Sequence, residues 1–161
     1  MKTKLFLLAT LLIGSWMFVA CDDDDDNINV PGEYQSVFDA LYPQAKNVRW
    51  ERERNYYVAE FWRSEMNAEA EAWFDQQKQW KMTVTEIAYN AFPQTIKDAF
   101  QSGEYGSWRI DDTDLVERPE EATIYVIEVE KNRQEFDLYY AEDGTLLKVV
   151  PDDNIENNYL N

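Results

Sequence analysis

The sequence of 161 residues contains no histidine and a single cysteine. The missing histidine excludes Ser-His-Asp and Cys-His catalytic sites, a histidine general base, and zinc or haem held by histidine. One cysteine cannot form a disulfide within the chain, so a disulfide-stabilised scaffold is also excluded. The composition therefore removes several large classes of enzyme before any motif is considered.

Positive charge is scarce as well. The chain has 15 Lys and Arg against 32 Asp and Glu, which gives a formal net charge of −17. This charge argues against binding to nucleic acid, which proteins hold largely through basic contacts to phosphate. Aromatic residues are plentiful at 15%, and the length corresponds to one domain. We therefore expect a single, acidic, aromatic-rich domain with no nucleic-acid partner.

The N-terminal segment has the features of an export signal. Lys2 and Lys4 precede an uncharged run, residues 5–20, which is too short to span a bilayer and fits a secretory signal peptide, residues 1–20. Cys21 follows directly, in a context that resembles the lipobox of bacterial lipoproteins. The resemblance implies lipid attachment at Cys21 and an outer-membrane anchor, with membrane contact through the lipid only. The alternative is a simple secretory signal that leaves Cys21 as an unpaired thiol.

Five consecutive aspartates, residues 22–26, follow Cys21. A run of like charge remains hydrated, so its simplest role is that of a spacer within an acidic linker, residues 21–32. The run also resembles the surface-export signal of Bacteroidetes lipoproteins, which implies display on the cell surface. A periplasmic orientation is the alternative.

Beyond the linker, the pattern predicts one folded unit, residues 33–151, and then a polar tail, residues 152–161. The unit is predicted to be α+β. Apolar residues at helical spacing and then four alternating stretches occur twice, in residues 33–84 and 85–151. This shared order predicts a tandem repeat of one helix plus four antiparallel strands, with the helices packed on one face of the sheet. The acidic stretch of residues 111–121 is predicted to be an insertion between two strands.

Several segments carry a family resemblance. Residues 41–50 read LYPQAKNVRW, residues 57–61 read YVAEF, and Asp143-Gly144 predicts a late hairpin turn with the glycine in the left-handed position. These segments are similar to the PepSY-like, β-lactamase-inhibitor-like family of exported Bacteroidetes proteins, over about residues 33–150. The resemblance implies tandem α+β repeats with helices on one face of an antiparallel sheet. It implies no particular activity.

Alternation along the strands assigns side chains to two faces of the sheet. The predicted core face comprises Val48, Trp50, Tyr57, Ala59, Phe61, Ala70, Ala72, Phe74, Trp108, Ile110, Tyr125, Ile127, Val129, Phe136, Leu138 and Tyr140. The opposite face mixes carboxylates with rings, and its candidate binding residues are Tyr56, Glu60, Trp62, Glu71, Trp73, Glu128 and Tyr139. Exposed aromatic clusters often mark binding surfaces, whereas the alternative is that these rings pack across strands and stabilise the sheet.

These features favour a non-catalytic, inhibitor-like module that binds a protein or peptide through an open face. The alternative is a glycan-binding accessory lipoprotein that stacks sugars on tryptophan. Glu60 and Glu71 could lie at the separation of a glycosidase pair, but many acids share their face and no cleft is predicted, so we expect no enzyme. No acidic stretch has EF-hand spacing, so no metal or cofactor is expected. Trp62→Ala and Trp73→Ala are each expected to leave the fold intact and to abolish binding of a partner.

Overall fold

A computed structural model describes residues 27–151 of the chain. The predicted signal peptide, Cys21, the aspartate run and the tail of residues 152–161 lie outside the described residues, and what was expected of them stays a prediction. Within residues 27–151, no helix is both long enough and apolar enough to cross a membrane.

The described chain forms two α-helices and one antiparallel sheet of eight strands. The elements in chain order are α1 (Gly32–Leu41), β1 (Lys46–Glu53), β2 (Tyr56–Arg63), β3 (Ala68–Phe74), β4 (Trp80–Glu86), a short 3₁₀ helix (Tyr89–Ala91), α2 (Gln94–Ser102), β5 (Arg109–Glu117), β6 (Ile124–Lys131), β7 (Gln134–Ala141) and β8 (Leu146–Pro151). Each strand pairs with the next along the chain, so the sheet order is the chain order. The predicted α+β class is confirmed. The β4–β5 pairing joins the two halves into one continuous sheet.

Both helices pack on the same face of this sheet. Pro31 and Pro93 stand immediately before α1 and α2, where a residue without an N–H donor is well tolerated. Phe38 of α1 is buried among side chains of β1–β3, and Ile96 of α2 is buried among side chains of β5–β7. Every residue of the predicted core face lies in one of these two clusters, so that prediction is confirmed.

A row of polar groups separates the two clusters beneath the helices. Thr83 and Thr85 of β4 are fully buried. The Tyr42 hydroxyl lies 2.6 Å from Thr83 Oγ1, and Arg63 Nη1 of β2 donates to Thr85 Oγ1 at 3.1 Å. Arg63 also forms an ion pair with Glu117 of β5. The two halves are therefore joined on this face by hydrogen-bonded polar groups and not by one continuous apolar core.

The prediction that residues 111–121 form an insertion is wrong for residues 111–117, because β5 extends from Arg109 to Glu117. Residues 118–121 lie in the loop between β5 and β6. Leu115 pairs with Thr85 of β4 on one side and with Tyr125 of β6 on the other. Thr113 and Leu115 point into the core and are buried, whereas Asp112 and Asp114 line the opposite face. A bulge between Ile110 and Thr113 absorbs the extra length, as bulges do when one strand has more residues than its partner.

Candidate functional site

Every predicted binding residue lies on the sheet face opposite the helices. The strand register shows this directly, because Glu60 lies opposite Glu71 and Val126 lies opposite Tyr139 in adjacent strands. Residues directly opposite one another in an antiparallel pair project to the same side. The sequence therefore assigned these side chains to the right face. Their environments on that face differ.

Two of the predicted rings are buried. Trp73 is 7% exposed and Tyr139 is 1% exposed, in contrast to the expected aromatic surface. They belong to a third apolar cluster, whose buried members are Val58, Trp73, Met82, Val116, Val126 and Tyr139. Tyr56 packs against this cluster with its ring centroid 5.9 Å from that of Trp73. Trp62 is half-buried and lines the cavity described next.

A cavity of about 870 Å³ lies on this face. Its walls come from all strands from β1 to β7, because the twist of the sheet brings distant strands around one space. We call it the acidic groove, and its acidic lining residues are Glu51, Glu53, Glu60, Glu69, Glu71, Glu86, Asp112, Asp114, Glu128 and Asp137. Among the described lining residues, Arg49 is the one basic side chain.

Carboxylates in the acidic groove lie directly opposite other carboxylates. The cross-strand pairs are Glu60–Glu71, Glu86–Asp114 and Glu128–Asp137. Like charges placed opposite one another destabilise a sheet. Arg49 donates to Glu60 at 2.8 Å and compensates the first pair in part. Three repetitions of an unfavourable arrangement indicate that this face is shaped by a requirement other than stability.

The three acidic pairs form a diagonal stripe across the sheet. Glu71 lies opposite Val84, and Glu86 is two residues further along the same strand. Asp114 lies opposite Val126, and Glu128 is again two residues further on. Each step of two strands therefore shifts the carboxylates by two residues. The stripe runs from β2 to β7, where it ends on Asp137, which is buried at 2% exposed. Its elongated shape is more than a site for a single ion or a small ligand requires.

Electrostatic strain is evident at Glu71. Burial raises the pKa of Glu71 above its ordinary value, and the nearby Glu60 and Glu53 carboxylates raise it further. The Trp73 indole N–H donates to Glu71 Oε2 at 3.3 Å and opposes the shift. Within the described residues, no group of three potential ligands is arranged to hold a metal ion. The groove therefore offers an extended negative surface to a cationic group without the geometry of a metal centre.

A second cavity, of about 710 Å³, opens at one end of the acidic groove. It forms where β3 and β4 separate, since their pairing begins at Ala70 and Thr85 and leaves the start of β3 unpaired with β4. We call it the apolar notch, and its apolar lining residues are Trp62, Met66, Ala68, Ile87, Ala88, Ala91, Leu115 and Tyr125. Trp62, Glu69 and Glu86 line both cavities.

Sequence reasoning placed four acids of the groove outside the predicted strands, namely Glu53, Glu86, Asp112 and Asp114. Glu53 was assigned to the turn after the first strand. The fourth strand was predicted to end before Glu86, and the two aspartates fell within the supposed insertion. The two aspartates could have been found from the alternation of Asp112 and Asp114 with Thr113 and Leu115, which is typical of a strand with one buried face.

The chain matches one protein family and several solved structures with a similar fold. A family described as "Putative beta-lactamase-inhibitor-like, PepSY-like" matches residues 55–148. The fold is similar to that of a BLIP-like protein from Bacteroides fragilis, with 35% identity, a TM-score of 0.74, and coverage of 83% of this chain and 94% of that chain. A DUF2874 family protein from Bacteroides ovatus is 33% identical, with a TM-score of 0.72 and coverage of 77% and 89%.

A third solved structure shares the fold at lower identity. It comes from Bacteroides eggerthii, is titled "putative periplasmic proteins", and is 23% identical with a TM-score of 0.70 and coverage of 77% of this chain and 90% of that chain. No protein of curated function matches the chain.

Proposed function

The chain belongs to the PepSY-like, beta-lactamase-inhibitor-like family, and from that premise we propose that it is a non-catalytic module that binds a protein or peptide through the acidic groove. The family name describes an inhibitor-like protein and not an enzyme. The chain has no histidine, which removes the most common general base.

The observation that carries this proposal is the repeated placement of carboxylates opposite carboxylates in a cavity of about 870 Å³. A surface that serves the fold alone would gain stability by exchanging one acid of each pair for a neutral or basic residue. Beneath the acids, the buried cluster around Trp73 and Tyr139 holds the floor of the groove rigid. A rigid floor reduces the conformational entropy lost when a partner binds.

The test is capture of a partner from the native cell envelope by the full chain. We expect wild type to retain a protein partner and Trp62→Ala to lose it, because Trp62 lines the groove and is half-buried. Leu41→Ala is the matched control, since Leu41 is 40% exposed on α1, on the helix-bearing side. Loss of the partner with Leu41→Ala and retention with Trp62→Ala would place the site on the helices and refute the proposal.

A glycan array separates the alternative function. Trp62 is a half-buried ring that lines the groove and on which a sugar could stack, so the glycan hypothesis also predicts loss of binding in Trp62→Ala. A polysaccharide hit without any captured protein would favour the glycan-binding accessory role. A captured protein without a glycan hit would favour the proposed one.

We further propose that the protein is exported and held on the outer membrane by a lipid on Cys21, with the aspartates at 22–26 as a spacer or surface-export signal. Support comes from the sequence of residues 1–26, and a relative with the same fold is titled as periplasmic. Cys21→Ala is expected to move the protein from the membrane fraction to the soluble fraction. Failure of the wild type to incorporate a labelled fatty acid would refute the anchor.

The two halves are also proposed to be tandem repeats of one helix and four strands. The register supports this idea, because Glu60 opposite Glu71 in the first half corresponds to Glu128 opposite Asp137 in the second. Val58 opposite Trp73 likewise corresponds to Val126 opposite Tyr139. On this proposal, the acidic groove is built from equivalent surfaces of the two repeats, joined through β4 and β5.

A further inference from the structure

We infer that the partner presents an extended, cationic segment with one bulky apolar side chain, and that the basic groups lie along the acidic groove while the apolar side chain enters the apolar notch. This inference rests on the proposed function and specifies the chemistry of the partner. One ligand occupies both the groove and the notch.

Charge complementarity is the first argument. Among residues 27–151, ten acidic side chains and one basic side chain line the groove, so an approaching cationic group gains attraction from several carboxylates at once. Two kinds of contact to a cationic side chain already occur on this face, a hydrogen-bonded ion pair and a cation–π contact. Arg49 donates to Glu60, and the Lys148 ammonium lies 4.1 Å from the centroid of the Tyr139 ring. A basic segment would add further charge-assisted and cation–π contacts of these kinds along the groove.

The shape of the acidic stripe is the second argument. The accessible part of the stripe, from β2 to Glu128 of β6, crosses four interstrand spacings, which is about 19 Å across the strands at roughly 4.8 Å per spacing, and the diagonal shift lengthens it further. An extended chain advances about 3.3 Å per residue, so about seven residues would follow the stripe. A single inorganic cation or a single sugar would contact only a short part of the stripe. The elongated arrangement therefore fits a peptide segment.

The apolar notch supplies the third argument, independently of charge. Trp62, Glu69 and Glu86 line both cavities, so the notch is continuous with one end of the groove. Met66 and Leu115 form part of its apolar wall. A pocket of this kind, rimmed by acids, accepts the apolar side chain of a segment whose neighbouring residues are basic. Such a side chain would fix the register of the segment along the stripe.

The experiment is a selection of random twelve-residue peptides by the full chain, purified in non-ionic detergent. We expect the enriched peptides to contain several Lys or Arg residues, few acids, and one bulky apolar residue near one end. One enriched peptide is then titrated beside two derivatives, in which Gln replaces its basic residues or Ala replaces its apolar residue. Each derivative is expected to bind about tenfold or more weakly, and binding is expected to weaken as salt is added.

Variants of the protein assign the two contacts separately. Glu69→Gln with Glu86→Gln is expected to weaken the peptide about threefold to thirtyfold. Asp39→Asn with Asp98→Asn changes the net charge equally on the helices and is expected to leave binding unchanged. Ala88→Trp and Ala91→Trp each fill the notch from an exposed position. Both are expected to abolish the preference for the bulky residue over Ala while keeping the preference for basic residues.

Any of three results would overturn the inference. The selection could yield neutral or acidic peptides, the groove and helix double variants could weaken binding equally, or the preference for the bulky apolar residue could survive both notch variants. These results are distinguishable from failure of the proposed function. Envelope capture that depends on Trp62, together with a selection that yields no basic peptides, would leave groove binding standing and remove only the cationic segment. If capture does not depend on Trp62 and the selection yields no basic peptides, the proposed function and the cationic segment are both refuted.

Discussion

Trp73 and Trp62 lie on the same face of the sheet but have different surroundings. Trp73 is 7% exposed and packs with Met82 in the cluster beneath the groove, whereas Trp62 is half-buried at the junction of the two cavities. We expect Trp73→Ala to lower the free energy of unfolding by about 3–5 kcal/mol, because it leaves a cavity in a packed cluster. Trp62→Ala is expected to cost clearly less. Urea denaturation of both variants checks this, and equal losses would contradict it.

The Glu71 carboxyl links pH to stability. Burial raises its pKa in the folded protein, so the folded state binds this proton more tightly than the unfolded state. The contribution therefore favours folding at pH below the unfolded value of about 4.3 and is lost as pH rises through the folded pKa. We expect Glu71→Gln to be more stable than wild type at pH 7, with a gain that shrinks toward pH 4.

Urea midpoints at several pH values measure this effect. Glu104→Gln is the matched control, since it removes the same charge from an exposed loop residue. A gain at pH 7 that is the same in both variants would show that net charge alone is responsible and not the burial of Glu71.

At the level of the elements, local chemistry explains which parts were predictable from the sequence. The helices were predicted from apolar residues at helical spacing, before Pro43 and after Pro93, and the alternation at residues 57–61 was correctly assigned to a strand, β2 (Tyr56–Arg63). The acidic part of β5 was not predicted to be a strand, since Asp and Glu are poor strand formers. Only pairing with β4 and β6 places Leu115 in the core. There, tertiary pairing outweighs local propensity.

The β7–β8 hairpin depends on Gly144, whose predicted left-handed conformation is confirmed by φ +89°. A Cβ at this position would lie 2.6 Å from the Thr95 carbonyl oxygen of α2. We expect Gly144→Ala to destabilise the protein by more than about 1 kcal/mol, because the conformation and the close approach to α2 both oppose a side chain.

Gly32→Ala is the control for this prediction. An added Cβ there meets nothing within 4 Å at the first residue of α1, so thermal unfolding should show no loss of stability. An equally mild effect at Gly144 would mean that the hairpin can move away from α2 without cost.

For the molecule as a whole, the two faces of the sheet have different structures. One face is covered by both helices and holds two apolar clusters, and the other holds the acidic groove above a third cluster. Alternation along the strands was enough to separate these faces. It could not show that Trp73 and Tyr139 are buried, because that depends on the curvature of the sheet and on residues such as Met82 and Val116 from other strands.

The two halves are coupled on the helix-bearing face through Arg63 and Glu117. Arg63 is 13% exposed and bonds to Glu117 and Thr85, so it joins β2 to β4 and β5. We expect Arg63→Met to cost about 1.5–3 kcal/mol, as for a hydrogen bond to a charged group in a partly buried site. Glu117→Leu should cost a similar amount, because it removes the carboxylate from Nη1 of a partly buried guanidinium, while Glu65 stays paired with Nε.

The double variant distinguishes a specific bond from two unrelated losses. Since replacement of both partners by apolar groups removes the desolvation cost along with the bond, Arg63→Met with Glu117→Leu should lose less than the sum of the single losses. Arg49→Met is the control, because the Arg49–Glu60 pair is exposed and its loss is expected to cost under about 1 kcal/mol. Strictly additive single losses in chemical denaturation would show that Arg63 and Glu117 stabilise their own strands separately, and that the continuity of the β4–β5 ladder alone holds the two halves together.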